Sequence, residues 1–213
     1  MRFERLKSLP PGPGGRESTL LLSIDTSAGT SAALFDGETL LSSIRFDDPF
    51  GHAENIAKAI ESVLQDAKAS VAELSGVAVG IGPAPYTGLR VGIAAAKALA
   101  APLKLDLFGV MVLDAIALTR QEERILVTTD AKRGELFVAG YAQGVRQFGP
   151  EVIHPSKVAE MGDYETVSVP ADAEMVGAFA IWASNNGIDL KETSAIYLRS
   201  PDVTPSPGKR VSG

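Results

Sequence analysis

The sequence predicts an α/β protein with a duplicated fold: two similar subdomains, each built on its own sheet, with a cleft between them. Two observations lead there. Apolar strand-like runs alternate with helix-like runs along the chain. An internal repeat also sets LLSIDTSAGTSAALF (21–35) over LVTTDAKRGELFVAG (126–140), so that Asp25 falls on Asp130 and Gly29 on Gly134. Each copy reads as an apolar strand, an aspartate, a glycine-containing turn and a second apolar strand. Each is the opening of one subdomain.

In chain order, 20–25 (LLLSID) and 30–35 (TSAALF) form a hairpin, and 39–46 continues as a third strand. Over 52–68, Ile56, Ile60, Val63, Leu64 and Ala67 recur at helical spacing with Glu54, Lys58, Glu61 and Asp66 elsewhere, which predicts an amphipathic helix. A short buried strand at 77–81 leads into GIGPAPYTGLRVG, and a helix is expected over 89–101, ended by Pro102. The division expected is a flexible leader at 1–18, an N-terminal subdomain at 19–103, a C-terminal subdomain at 104–201 and a flexible tail at 202–213. The PPGPGG run and the Pro/Ser-rich end support the two loose segments.

With 45% hydrophobic residues in 213, the chain has material for a sizeable core. A formal charge of -6 argues against a surface that grips nucleic acid alone, because such binding draws on lysine and arginine. There are no cysteines, so disulfides and thiolate metal sites are excluded. Neither a signal peptide nor a membrane span is legible, and a soluble, cytoplasmic protein is expected.

GIGPAPYTGLRVG invites a phosphate-binding reading, but Pro85 stands where a dinucleotide-binding loop needs its third glycine. Gly88 comes one residue late for a P-loop and is followed by Leu89 rather than lysine. What survives is a helix start near Thr87, itself a candidate N-cap, and Gly88. Gly88, Gly92, Ala96 and Ala100 recur every four residues as a ridge that another helix can approach, within the fold or across a dimer. Arg90 could reach an anion or pair with a carboxylate.

Asp25, its neighbour Thr26, and Asp130 are the candidate residues of a nucleotide and Mg2+ cleft, since carboxylates hold Mg2+ through water. Aspartates in such places also cap turns. With only His52 and His154, and no H-E-x-x-H, a zinc peptidase centre cannot be built within one helix, and no G-x-S-x-G elbow is present.

Four blocks carry a family resemblance: IDTS at 24–27, GPAPYTGLRVG at 82–92, DAKRGELF at 130–137 and YLRSPD at 197–202. In this order they resemble the TsaB (YeaZ) family. The resemblance implies a duplicated actin/Hsp70/sugar-kinase (ASKHA, RNase H-like) fold. It also implies a non-catalytic subunit of the bacterial machinery that makes threonylcarbamoyladenosine (t6A) on tRNA. Family members pair with the paralogous transferase TsaD, are joined by the ATPase TsaE, dimerise when alone, and reach tRNA only through the complex. ATP or ADP with Mg2+ is expected only at that assembly.

TsaD carries a metal-binding H-x-x-x-H, and in the comparable run GVMVLDAIAL the two histidine positions hold Val112 and Ile116. The resemblance therefore places neither the transfer site nor a peptidase M22 activity here. The rival of the same fold is a small-molecule kinase or ATPase, against which Pro83 and Pro85 speak. Ala84, Pro85 and Tyr86 depart from the family's usual glycine-containing loop, and Ala53 replaces the serine that usually follows His52. The family's dimer and TsaD surfaces map onto the helices at 52–68 and 87–100. His52, Ile56, Ile60, Thr87, Gly88, Leu89, Gly92, Ala96 and Ala100 are accordingly the expected partner interface.

Overall fold

Strand β1 (Leu20–Asp25) pairs antiparallel with β2 (Thr30–Asp36), setting Asp25 opposite Ser31, and β2 pairs with β3 (Thr39–Phe46). The computed structural model describes residues 19–48, 51–120 and 123–199. β4 (Leu74–Gly80) runs parallel to β1, and β5 (Asp106–Val110) parallel to β4, giving the order β3-β2-β1-β4-β5. Parallel neighbours need crossovers, which α1 (His52–Asp66) and α2 (Tyr86–Leu103) supply. Both helices lie on the sheet face that presents Leu22, Ile24, Val77 and Val79. Leu21, Ala33, Phe35 and Ala78 point to the opposite face, which is buried as well. A strand covered on both faces reads as a continuous apolar run, and LLLSID is one.

The second sheet is wired like the first. β6 (Arg124–Asp130) and β7 (Leu136–Ala142) form a hairpin, β8 (Val145–Ile153) follows, and β9 (Glu165–Ser168) joins β6 in parallel. Its order, β8-β7-β6-β9, matches β3-β2-β1-β4 position by position. Gly29 and Gly134 both sit in the left-handed region, at φ 124° and 73°, in equivalent turns. The internal repeat is a repeat of structure.

Between the two sheets lie α3 (Val112–Ala117) and α4 (Ala173–Asn185). Val112, Leu113 and Ile116 of α3 pack with Ile125, Val127, Phe137 and Ala139 of the second sheet. Val176, Ala180 and Ile181 of α4 pack on Leu21, Ala33, Phe35 and Ala78 of the first. Asp172 caps α4 by accepting from Met175 N–H at 2.9 Å. Two hydrogen bonds fasten that end to the first hairpin: Ser23 Oγ donates to Ala173 O at 2.7 Å, and Ala173 N–H donates to Ser31 Oγ at 2.9 Å.

Several expectations are corrected. The subdomain boundary at 103/104 cuts the first sheet, because β5 is its edge strand, and α4 then returns to that sheet from far along the chain. The strand expected at 77–81 starts at Leu74. α1 ends at Asp66 rather than 68. α2 starts at Tyr86 and runs through Pro102 to Leu103. Proline is tolerated there because it lies in the last turn, on the exposed side, where one N–H is lost and no further turn has to be built. The helix stops at Lys104, left-handed at φ 53°, with Leu105 N–H bonded to Ala100 O at 3.1 Å. The leader at 1–18 and the tail at 202–213 lie outside the described residues. Among the described residues no helix is long and apolar enough to cross a membrane.

Candidate functional site

The loop leaving β4 is held from three sides. Ile81 N–H donates to Val110 O (2.9 Å), Val112 N–H to Gly82 O (2.9 Å), and Ile196 N–H to Ile81 O (2.8 Å). The β5–α3 link and the returning segment near residue 196 thus fix where α2 begins. Its N-cap is Pro85, with no side-chain cap, so Thr87 is not the cap but an exposed residue within the first turn.

The small-residue ridge of α2 faces inward. A Cβ on Gly88 would lie 2.7 Å from Thr26 O and 2.8 Å from His52 Nε2, and one on Gly92 would run into the Thr26 hydroxyl. His52 Nδ1 lies 3.0 Å from Thr30 Oγ1, so this ring braces the first hairpin against α2. Ala96 and Ala100 join Ile56 and Leu89 in the core. Ile56, Gly88, Leu89, Gly92, Ala96 and Ala100 are therefore interior residues, which corrects their assignment to a partner surface. His52 and Ile60 are half-buried and Thr87 is exposed. Beside Thr87 and Pro102, α2 turns outward Arg90, Ala94, Lys97, Ala98 and Ala101, and the exposed residues of α1 include Ala53, Glu54, Ala57, Lys58 and Glu61. A helical repeat of small residues marks a close approach without saying from which side.

Asp25 and Asp130 are equivalent in the backbone but not in environment. Asp25 is 1% exposed. Its Oδ2 accepts from Ser27 N–H (3.1 Å) and Ser27 Oγ (2.7 Å), while Oδ1 has no partner among the described residues and lies against Gly80. Burial pushes its carboxyl up to about 6; the Ser27 bonds oppose that shift and nearby Asp172 adds to it. The hydroxyl of Thr26 is likewise buried without a partner. Asp130 is exposed and bound to its own turn: Oδ1 accepts from Lys132 N–H (2.7 Å) and Oδ2 pairs with Lys132 Nζ (2.8 Å). Those bonds hold its carboxyl below the usual range. The two carboxylates share no open surface, and among the described residues no group of three potential ligands gathers for a metal.

An open cleft lies instead between the α2 loop and the β6–β7 turn. Ala84, Pro85 and Tyr86 form one wall, Ala131, Lys132, Arg133 and Phe137 the other, and Tyr197, Leu198 and Arg199 close one end. Tyr86 and Tyr197 stack with centroids 4.8 Å apart. Arg90 lies 3.7 Å over the Tyr86 ring and donates through Nε to the Tyr197 hydroxyl at 3.0 Å. Its partners among the described residues are these rings rather than a carboxylate. Arg199 forms an ion pair with Glu135. Tyr197 and Arg199 went unassigned in the sequence; their signal was the YLRSPD block, which lies more than a hundred residues from the loop it meets.

A family model described as TsaD: tRNA N6-adenosine threonylcarbamoyltransferase matches residues 50–181. The tRNA threonylcarbamoyladenosine biosynthesis protein TsaB of Escherichia coli is 27% identical over 198 residues, covering 86% of this chain and 80% of its own. The chain belongs to the TsaB (YeaZ) family. An uncharacterized protein of Mycobacterium leprae is 36% identical over 88% of the TsaB-family chain, which spans 56% of that relative's length. The solved structure of YeaZ from Pseudomonas aeruginosa shares the fold, with a TM-score of 0.69 at 22% identity, covering 84% of this chain and 100% of that one. In this TsaB-family fold Val112 and Ile116, which the resemblance sets at the transferase's histidine positions, are 1% and 0% exposed and packed in the core.

Proposed function

We propose that this chain is a non-catalytic subunit of the machinery that makes t6A on tRNA, docking its transferase paralogue TsaD through the outward faces of α1 and α2. The observation that carries the accessory role is the pair Val112 and Ile116. Neither side chain can ligate a metal, and both are enclosed by apolar neighbours, so no donor could be recruited there without reopening the core. The names of the TsaB relatives support the pathway.

The docking face is supported by its composition. On the exposed sides of α1 and α2 the small Ala53, Ala57, Ala94, Ala98 and Ala101 stand among the charged Glu54, Lys58, Glu61, Arg90 and Lys97. A paralogue with the same fold can present equivalent helices to that surface, and a second copy of this chain can do the same when the paralogue is absent. TsaE, with ATP or ADP and Mg2+, belongs to the larger assembly, tRNA is met there, and the setting is the cytoplasm. A small-molecule kinase of this fold would need a free carboxylate open to its nucleotide, whereas Asp25 is sealed and Asp130 is engaged by Lys132.

The test is reconstitution of t6A formation from the transferase, its threonylcarbamoyl donor and tRNA, with and without this chain. Modification should depend on the chain, and the chain alone should transfer nothing. An unchanged rate in its absence, or transfer by the chain alone, would overturn the reading.

A further inference from the structure

The last turn of α4 closes on an asparagine–glycine pair. Asn186 is the C-cap (φ -97°, ψ 6°), and Gly187 follows in the left-handed region at φ 69°. Both are exposed, and a Cβ on Gly187 would have no atom within 4 Å. Gly187 N–H donates to Ser184 O (3.2 Å) and Ile188 N–H to Ala183 O (2.9 Å), the paired bonds of a Schellman end. The Asn186 side chain takes part, since its Nδ2 donates to Trp182 O at 2.7 Å.

The same pair that caps the helix is chemically reactive. The side-chain carbonyl carbon of an asparagine is one ring closure from the backbone nitrogen of the next residue, and a following glycine offers that nitrogen without a shielding Cβ. The chain has three asparagines; Asn55 and Asn185 precede Ile56 and Asn186, whose side chains crowd that approach. In the folded cap the reactants are held apart. Closure requires ψ of Asn186 to leave 6° and Gly187 N–H to leave Ser184 O, so it proceeds through opening of the last turn, a fluctuation that helix ends undergo more readily than sheets.

We propose that Asn186 is a site of spontaneous deamidation and isoaspartate formation, and that its conversion undoes the C-terminal cap of α4. The Gly187 nitrogen attacks Asn186 Cγ, a new N–Cγ bond closes a succinimide, and the Cγ–Nδ2 bond breaks. The proton lost from the Gly187 nitrogen is made good on the departing amide nitrogen, which leaves as ammonia. One water then opens the ring at either carbonyl, giving aspartate or isoaspartate.

Either product removes the donor to Trp182 O and sets a negative charge at the negative end of the helix dipole. Isoaspartate also routes the backbone through Cβ, and the added methylene carries the Gly187 and Ile188 N–H groups away from Ser184 and Ala183. The helix that loosens is the one that covers Leu21, Ala33, Phe35 and Ala78 of the first sheet.

The experiment ages the full chain in warm, mildly alkaline buffer made with water labelled in its oxygen, and follows the three asparagines by peptide mass and by enzymatic methylation of isoaspartate. Asn186 should convert at least about tenfold faster than Asn55 or Asn185, with label incorporated and isoaspartate among the products. It should convert at least about tenfold faster again when guanidinium unfolds the chain, because the cap no longer holds it. The converted fraction, separated by charge, should melt about 2–4 °C below fresh protein and show altered emission from Trp182, the one tryptophan of the chain. Asn186→Gln keeps an amide for Trp182 O but resists ring closure, and should pass through the same ageing with its melt unchanged. The proposal is overturned by conversion of Asn186 no faster than the other two, by aspartate as its sole product, by equal rates in the folded and unfolded chain, or by a converted fraction that melts like fresh protein. Every readout comes from this chain by itself, so its failure is distinct from failure of the t6A assay.

Discussion

Asp25 shows how far one residue's position departs from its sequence context. Its folded value near 6 lies above the ordinary 3.8, so between those values the native chain holds a proton that the unfolded chain has released. Stability therefore falls as pH rises from about 4 to about 6, by about 3 kcal/mol, and stays at the lower level above that. Asp25→Asn should remove this fall: measured against wild type by urea unfolding, the variant should gain about 3 kcal/mol on going from pH 4 to pH 7.5. Parallel profiles would refute the buried carboxylate as its origin. Gly92→Leu, which places a large side chain against Thr26, should destabilise the isolated chain by about 1–3 kcal/mol or more, visible in its melt before any partner is added. The repeat made Asp25 and Asp130 equivalent, and as backbone positions they are. Their burial differs because α3 and α4 close over the end of β1, and the residue that fastens α4 there, Ala173, lies 150 positions from its partner Ser23. No local pattern around Asp25 carries that information.

Elements were read best where an apolar period ran unbroken and worst at their ends. The first three strands fall where alternation and turn residues placed them, within one residue at Asp36, because both faces of β1 and β2 are buried. The ends of α2 were misread because they are set by backbone bonding: Pro85 opens the helix without a side-chain cap, and the left-handed Lys104 closes it two residues past Pro102. Lys104→Gly should raise stability by about 0.5–1 kcal/mol, since glycine takes φ 53° without the Cβ penalty that lysine carries. A shift of the urea midpoint to higher concentration checks this, and a shift the other way rejects it. The inward turn of the Gly88–Ala100 ridge moves the expected docking residues to the other side of the same helix. Ala98→Arg should weaken association with the transferase by at least about tenfold while leaving the melt of the isolated chain unchanged. Undiminished co-purification would place the partner elsewhere.

At the scale of the whole molecule, the duplicated architecture was legible because a repeated strand–turn–strand survives divergence, whereas the allocation of elements to sheets was not. Chain order suggested two consecutive halves, yet α4 leaves the second half to cover Leu21, Ala33, Phe35 and Ala78 of the first. A fragment covering 19–172 should therefore fail to show a cooperative thermal transition and should expose apolar surface to a hydrophobic dye. A sharp melt from that fragment would show that the first sheet stands alone. The same return path sets an order of events during synthesis. The first sheet's strands are all made by Val110, but the helix that covers their inner face begins only at Ala173. Until α4 emerges from the ribosome, that face stays open to chaperones or to the nascent chains beside it. A premature stop between Val110 and Ala173 thus leaves uncovered what was made first.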